Sequence, residues 1–216
     1  GQTVYRRDIQ DLAGEVLSEY KVETIYIDLS EAELTAYSAA RKTYRDFIES
    51  AGISLGGPFG WQNFIIASAK SAAGRQAFQA WRDQRRIALA SPRKLAVLKQ
   101  ILLDHAQDRV IIFTNDNATV YQISRQFLIP AITHQTKTKE RQDSLKRFNS
   151  GEYPVLVTSK VLNEGVNVPE ANVGVVLSGS ATVREHVQRL GRILRKVKDK
   201  KAVLYEVIAK NTAEES

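Results

Sequence analysis

The sequence predicts an α/β fold: a parallel, doubly wound sheet interrupted by a helical insertion. Three observations carry this expectation. From Ser91 onward, short β-rich apolar runs alternate with stretches of helical periodicity, the pattern of strands joined by crossover helices. Before Ser91 a single strand-like run, VETIYIDL (22–29), is followed by helical patterns alone. The apolar runs RVIIFT and VGVVLS are nearly continuous, as expected of strands buried on both faces.

The elements follow in chain order. VETIYIDL is the first strand. Ser30 and Glu33 form a capping box, so a helix starts at Glu31 and runs through Leu34, Tyr37 and Tyr44 to about Ile48. AGISLGGPFG (51–60) stops it, because its glycines and Pro58 cannot continue a helix. A second helical stretch covers Trp61 to Leu89, with Gly74 as the expected kink. Ser91-Pro92 opens the next helix, which carries Leu95, Leu98, Ile101 and Leu102 on one face. RVIIFT (109–114) is a strand, Asn115 to Asn117 cap the helix of Val120, Ile123 and Phe127, and PAIT (130–133) is a short strand. Thr138 is expected to cap a helix through Leu145 and Phe148, ended by Asn149-Ser150-Gly151. PVLVT (154–158), VGVVLS (173–178) and AVLYEVI (202–208) complete the sheet, with a helix around QRLGRILR (188–195) before the last strand. Three segments are expected: 1–30 with the first strand, 31–90 as insertion, and 91–216 as the main α/β body. Sheets of this kind bind ligands at the carboxyl ends of their strands.

Composition narrows the function classes. The 216 residues carry a net charge of +7, with 43% hydrophobic and 25% charged residues, ordinary values for a globular protein. The basic balance suits an anionic partner such as nucleic acid. Cysteine is absent, which removes disulfides and thiolate metal sites. His105, His134 and His186 are scattered without zinc-ligand spacing, so no metal site is expected. No apolar run reaches membrane-spanning length and the start does not read as a signal peptide, so a cytoplasmic protein with no membrane partner is expected. Methionine is missing, including at position 1, and the chain is expected to be a piece of a longer protein.

The most informative stretch is QRLGRILR. On a helix, Gln188, Arg192 and Arg195 share a face, while Val187, Leu190 and Leu194 form an apolar stripe that can dock on the sheet. Gly191 costs about 0.5–1 kcal/mol relative to alanine inside a helix, which is better explained if something large approaches there. Guanidinium groups bind phosphate oxygens bidentately and stabilise charge on a transferring phosphoryl group. The alternative is a solvated basic face.

VLVTSKVLNEGVNVPEANVGVVLSGSATVREHVQRLGRILR resembles motifs V and VI of the superfamily 2 helicases, in particular the XPB family of DNA repair helicases in its archaeal or bacterial form. RVIIFT resembles motif IV, and ITHQTKTKERQDSLKRFNSGEYPVLVTS and the opening YRRDIQDLAGEVLSEYKVETIYIDLS are similar too, so the likeness covers nearly the whole chain and is weakest over 45–80. The resemblance implies the RecA-like C-terminal helicase domain, with a thumb-like insertion, of an ATP-dependent 3′–5′ DNA helicase. Arg192 and Arg195 match its arginine fingers and Gln188 the residue coupling nucleotide to nucleic acid. Gly165 and Asn167 match the motif V glycine and ribose contact, although many relatives have aspartate where this chain has Asn167. Thr158 matches the threonine that holds a nucleic-acid phosphate; a β-favouring residue closing a strand is the plainer reading. Thr114 closes motif IV, and His134 with Lys137 lies at the ligand edge, where a loop-capping role is the alternative.

No GxxxxGK[ST] loop and no acidic strand-end motif occur in the chain; SLGGPFG lacks the lysine and reads as a turn. ATP with Mg²⁺ is therefore expected to be held mainly by an N-terminal helicase domain of the same protein, and this chain alone is expected not to hydrolyse ATP. In the insertion, Arg75, Arg82, Arg85 and Arg86 are candidates for DNA phosphates, against a solvated face. Trp61, Phe64, Phe78 and Trp81 read more readily as a small core than as a stacking platform. Expected partners are DNA, the N-terminal helicase domain and, by resemblance, a repair nuclease or repair factor. The rival functions are a double-stranded DNA translocase that remodels complexes without strand separation, and a non-catalytic domain that binds nucleic acid or protein.

Overall fold

The structure, a computed structural model, describes residues 20–159, 171–177 and 202–215. The chain divides into two compact units, one of Gly1–Asp28 with Pro92–Ser216, the other of Leu29–Ser91.

The first unit holds a six-stranded sheet made of β1 (Tyr20–Ile27), β2 (Val110–Phe113), β3 (Ala131–Ile132), β4 (Val155–Thr158), β5 (Val173–Val176) and β6 (Ala202–Ala209). Its order is β1-β6-β5-β2-β4-β3, and every pairing is parallel. β1 begins two residues earlier than the apolar run indicates and ends before Asp28. It joins the sheet edge beside β6, with Thr24 opposite Glu206.

Parallel strands need crossover connections, and these are right-handed in nearly all cases. The step from β2 through α5 (Asn117–Phe127) to β3 runs toward one edge of the sheet. The step from β3 through α6 (Thr138–Ser150) back to β4 runs the other way. Right-handedness therefore sends α5 and α6 to opposite faces. The core agrees: Ile111, Phe113, Ile132 and Leu156 cluster with Leu145 and Phe148 of α6, while the alternate positions Val110, Ile112 and Val157 are also fully buried. The α/β, doubly wound parallel sheet expected from the sequence is present.

Local chemistry sets the helix boundaries. α4 (Pro92–Asp104) starts at its proline, and Leu95, Leu98 and Ile101 are buried. Asp116, the middle residue of the expected cap, closes the start of α5 by accepting from the amide of Thr119 at 2.8 Å. α6 corrects one expectation. Thr138 is its first helical residue, the cap position belongs to Lys137, and no side-chain cap bond forms there. Gly151, at φ 82°, ends this helix in the left-handed conformation that glycine adopts without steric cost.

The second unit contains α1 (Glu31–Ser50), α2 (Gly60–Lys70) and α3 (Ala72–Leu89). The capping box forms as expected: Ser30 Oγ accepts from the Glu33 amide at 3.3 Å, and the Ser30 amide donates to Glu33 Oε2 at 2.9 Å. The long second helix does not kink at Gly74; it is broken at Ser71. That residue is extended (φ −142°, ψ 161°) and caps α3 by accepting from the Gly74 amide at 2.9 Å. Gly74 serves instead for close approach, since a Cβ there would lie 2.7 Å from Ser68 Cα and from the Ser68 carbonyl oxygen. Phe64 is fully buried, with ring centroids of Tyr44, Trp61, Phe47 and Phe78 at 5.2, 5.3, 6.3 and 6.2 Å. The small-core reading holds for Phe64, whereas Trp61 stays 43% exposed.

Candidate functional site

In an open parallel sheet the ligand crevice lies where neighbouring strands send their connections in opposite directions. Here that strand is β2. Its own connection leaves toward the β3 edge, whereas those of β4 and β5, on either side of it, leave the other way. The carboxyl ends of β2, β4 and β5 are therefore the place to look. β2 ends at Phe113, in register with Thr158 of β4 and Val176 of β5.

Four of the candidate residues lie on this edge. Thr114 follows β2, Thr158 closes β4, and His134 and Lys137 lie in the turn between β3 and α6. Thr114 and Thr158 are buried. The Thr114 amide donates to the Thr158 carbonyl at 3.0 Å, and the Thr114 hydroxyl donates to the Asp116 carbonyl at 2.9 Å. The Thr158 hydroxyl donates to the neighbouring Ser159 carbonyl at 2.8 Å, so in this arrangement its proton is used inside the turn. His134 and Lys137 are exposed, and Asn117 Nδ2 lies 3.0 Å from His134 Nδ1. An amide N–H donated to Nδ1 leaves the neutral ring with its proton on Nε2.

The turn that presents them is stiff. The Thr133 amide donates to Thr136 Oγ1 at 2.9 Å, and the Gln135 amide donates to Thr133 Oγ1 at 3.2 Å. Tyr121 OH stands 3.1 Å from Thr133 Oγ1 and donates to Gln135 Oε1 at 3.2 Å. Arg141 Nη2 reaches the Thr133 carbonyl at 3.4 Å. The sequence marks Asn117 as part of a helix cap and gives no functional sign for Tyr121, Thr133 or Arg141. Only the Asp-Asn pair after an apolar strand, a strand-end cap pattern, points to Asn117.

Arg75, Arg82, Arg85 and Arg86 all lie on α3 of the helical unit. At about 100° per residue, Arg75, Arg82 and Arg86 fall on one stripe, and all three are exposed. Gly74, Ala77, Ala80, Gln84, Ala88 and Leu89 are the buried residues of the same helix. Arg86 makes only a loose pair with Asp83 at 3.8 Å. Arg85 departs from the stripe and is half-buried, its guanidinium carbon 5.2 Å from the centroid of the Trp81 ring, an arrangement that stabilises through the ring quadrupole. Gln188, Arg192, Arg195, Gly165 and Asn167, the expected nucleotide-facing residues, lie outside the described residues. Among the described residues no helix is long and apolar enough to cross a membrane.

The chain is similar to known proteins in both sequence and fold. Residues 93–197 match the helicase conserved C-terminal domain family. The DNA 3'-5' translocase XPB2 of Sulfurisphaera tokodaii is 40% identical over 99% of this chain and 48% of its own length. The chain belongs to the XPB family. The DNA 3'-5' helicase XPB of Mycobacterium tuberculosis is 36% identical over 55% of the chain and 22% of its own length. The helicase domain of Pyrococcus furiosus Hef superposes on this XPB-family chain with a TM-score of 0.61, at 18% identity, over 92% of the chain and 57% of that structure. That likeness shows a shared RecA-like fold. The XPB-family chain spans about half the length of the Sulfurisphaera relative.

Proposed function

We propose that this chain is the second RecA-like half of an ATP-dependent XPB-type motor that moves 3′ to 5′ along DNA and acts in DNA repair. The observation that carries the reading is the strand-end row of Thr114, Thr158, His134 and Lys137, set at the topological switch of a RecA-like sheet in a chain whose sequence continues into QRLGRILR. Strand-end hydroxyls, an imidazole N–H and an ammonium are groups suited to nucleic-acid phosphates, which position the strand without reading its sequence.

In this reading Arg192 and Arg195 reach the phosphates of ATP held with Mg²⁺ by the N-terminal helicase domain, and Gln188 couples that nucleotide to DNA. Gly165 and Asn167 approach the ribose, where the Asn167 amide offers an acceptor without charge. Bound ATP supplies the free energy of phosphoryl transfer. The described edge has hydrogen-bond donors for phosphate, a donor set that fits one side of a nucleotide or nucleic-acid site. Thr158, Thr114, His134 and Lys137 hold one strand while the Arg75, Arg82 and Arg86 stripe of the thumb-like unit, with Arg85 beside it, meets phosphates along the DNA. Opening and closing of the two RecA-like halves then becomes stepping. The chain by itself hydrolyses no ATP.

The decisive experiment measures DNA-stimulated ATP hydrolysis by the intact protein, with Arg192→Ala and Arg195→Ala as variants. Loss of turnover by at least about 100-fold with an unchanged fold supports the reading; undiminished turnover overturns it. A relative that matches along nearly the whole chain is named a DNA 3'-5' translocase, which favours translocation without strand separation, on double-stranded DNA in our reading, as the second reading. Strand displacement and triplex displacement, run side by side on the intact protein, separate the two.

A further inference from the structure

Lys94, in the first turn of α4, is fully buried, an unusual place for a lysine. A cation at a helix N-terminus also opposes the helix dipole. Its ammonium lies 2.6 Å from Glu214 Oε2 and donates to the Leu177 carbonyl at 3.2 Å. Glu214 is likewise buried, and its Oε2 also accepts from the Ala209 amide at 2.9 Å. The turn after β6 is shaped to place this carboxylate, for the Thr212 hydroxyl donates to the Ala209 carbonyl at 2.8 Å and accepts from the Glu214 amide at 3.2 Å.

Leu177 is the point of interest. Its amide donates to the Phe113 carbonyl at 3.0 Å, beside Thr114, whose own amide bonds the Thr158 carbonyl. A continuous row of hydrogen bonds therefore runs along the ligand edge, from β4 through β2 and the end of β5 to Lys94 and Glu214. Leu177 is also where the chain leaves β5 for residues 178–201, the segment that contains Gln188, Arg192 and Arg195.

We propose that Lys94 and Glu214 are positioning residues: a buried ion pair that fixes the Leu177 carbonyl at the exit of β5, from which the chain continues in sequence toward Gln188, Arg192 and Arg195. A buried ion pair is a poor device for stability alone, since well-packed apolar side chains often do as well. It is a good device for holding one carbonyl at one place. The link to catalysis rests on the reading of Arg192 and Arg195 given above.

The test uses Lys94→Met, Glu214→Gln and the double variant Lys94→Met/Glu214→Leu, in which neither charge is left unpaired. Hydrogen exchange of residues 178–200 is followed in the 216-residue chain. Loss of the charge-assisted bond to Leu177 should raise exchange there about tenfold or more, in the double variant as well, while β2 and β4 keep their protection. In the intact protein the double variant should keep its KM for ATP yet lose kcat by about tenfold or more. Unchanged exchange of 178–200 in the double variant overturns the proposal, and so does full recovery of kcat once its stability is restored. Should intact wild-type protein show no DNA-stimulated hydrolysis, the functional reading fails, and the exchange measurement still decides whether the ion pair fixes the exit of β5.

Discussion

The amide of Thr114 and the carbonyl of Thr158 meet at 3.0 Å, which places two strand-end hydroxyl residues side by side at the topological switch of the sheet. Neither threonine lies open to solvent, and each hydroxyl proton is given to a backbone carbonyl of the following turn. A phosphate drawn to this edge by Thr158 would be met by a hydroxyl turned out of its turn.

Thr158→Val tests that contact. The substitution removes a buried donor and leaves the Ser159 carbonyl without it, at a cost of about 1 kcal/mol of stability. In the intact protein DNA affinity should fall while the slope of log K against log salt stays the same, because a hydroxyl neutralises no charge. Unaltered affinity would reduce Thr158 to a strand-closing residue.

The α3 stripe makes a different prediction. Replacing Arg75, Arg82 and Arg86 with glutamine should flatten the salt dependence of DNA binding by the intact protein by roughly 0.9 in slope for each phosphate lost. Lys137→Gln should reduce it by about one such increment. A triple variant with the wild-type slope would leave these arginines as a solvated face.

Gly74→Ala runs against helix propensity. Alanine inside a helix is ordinarily better than glycine by about 0.8–1.0 kcal/mol. Here the added methyl meets Ser68 backbone atoms at 2.7 Å, so we expect a net loss of about 1–3 kcal/mol, read from chemical denaturation. A stabilised variant would show that α2 and α3 do not approach so closely.

Phe64→Ala removes the ring at the centre of the helical unit. Large aromatic truncations in cores cost about 3–5 kcal/mol, a large fraction of what a small three-helix unit has. Proteolysis should then cut within 29–91 and spare the sheet; uniform sensitivity along the chain would contradict the division into two units.

Glu206 supplies a pH dependence. Burial pushes its carboxyl above the ordinary value of 4.5, and the hydrogen bond from Thr24 offsets this only in part. The folded chain therefore keeps the proton to higher pH than the unfolded chain does. Stability from this group is present below 4.5 and is lost as pH rises through the folded value. Glu206→Gln should raise the melting temperature at neutral pH and remove that part of the pH profile. An unchanged profile would show that Glu206 titrates normally.

What the sequence determined by itself was local. Ser30 and Glu33 lie three residues apart, Pro92 follows Ser91, and VIIF and VLV are apolar throughout, so helix starts and buried strands could be read from neighbours along the chain. The broken helix was misplaced because Gly74 is the weaker helix former, whereas Ser71 stops the helix by bonding the Gly74 amide, a competition settled by geometry. The likeness to XPB was also legible, because motif spacing is linear. Tertiary structure decided the rest: that β1 pairs with β6 across the length of the chain, that Asn117 meets His134, and that Lys94 is buried against Glu214. The periodicity of a sequence records which face of an element avoids water, but not which distant element covers it. A lysine between Arg93 and Leu95 reads as a surface charge until the fold brings a carboxylate and a strand-end carbonyl to it.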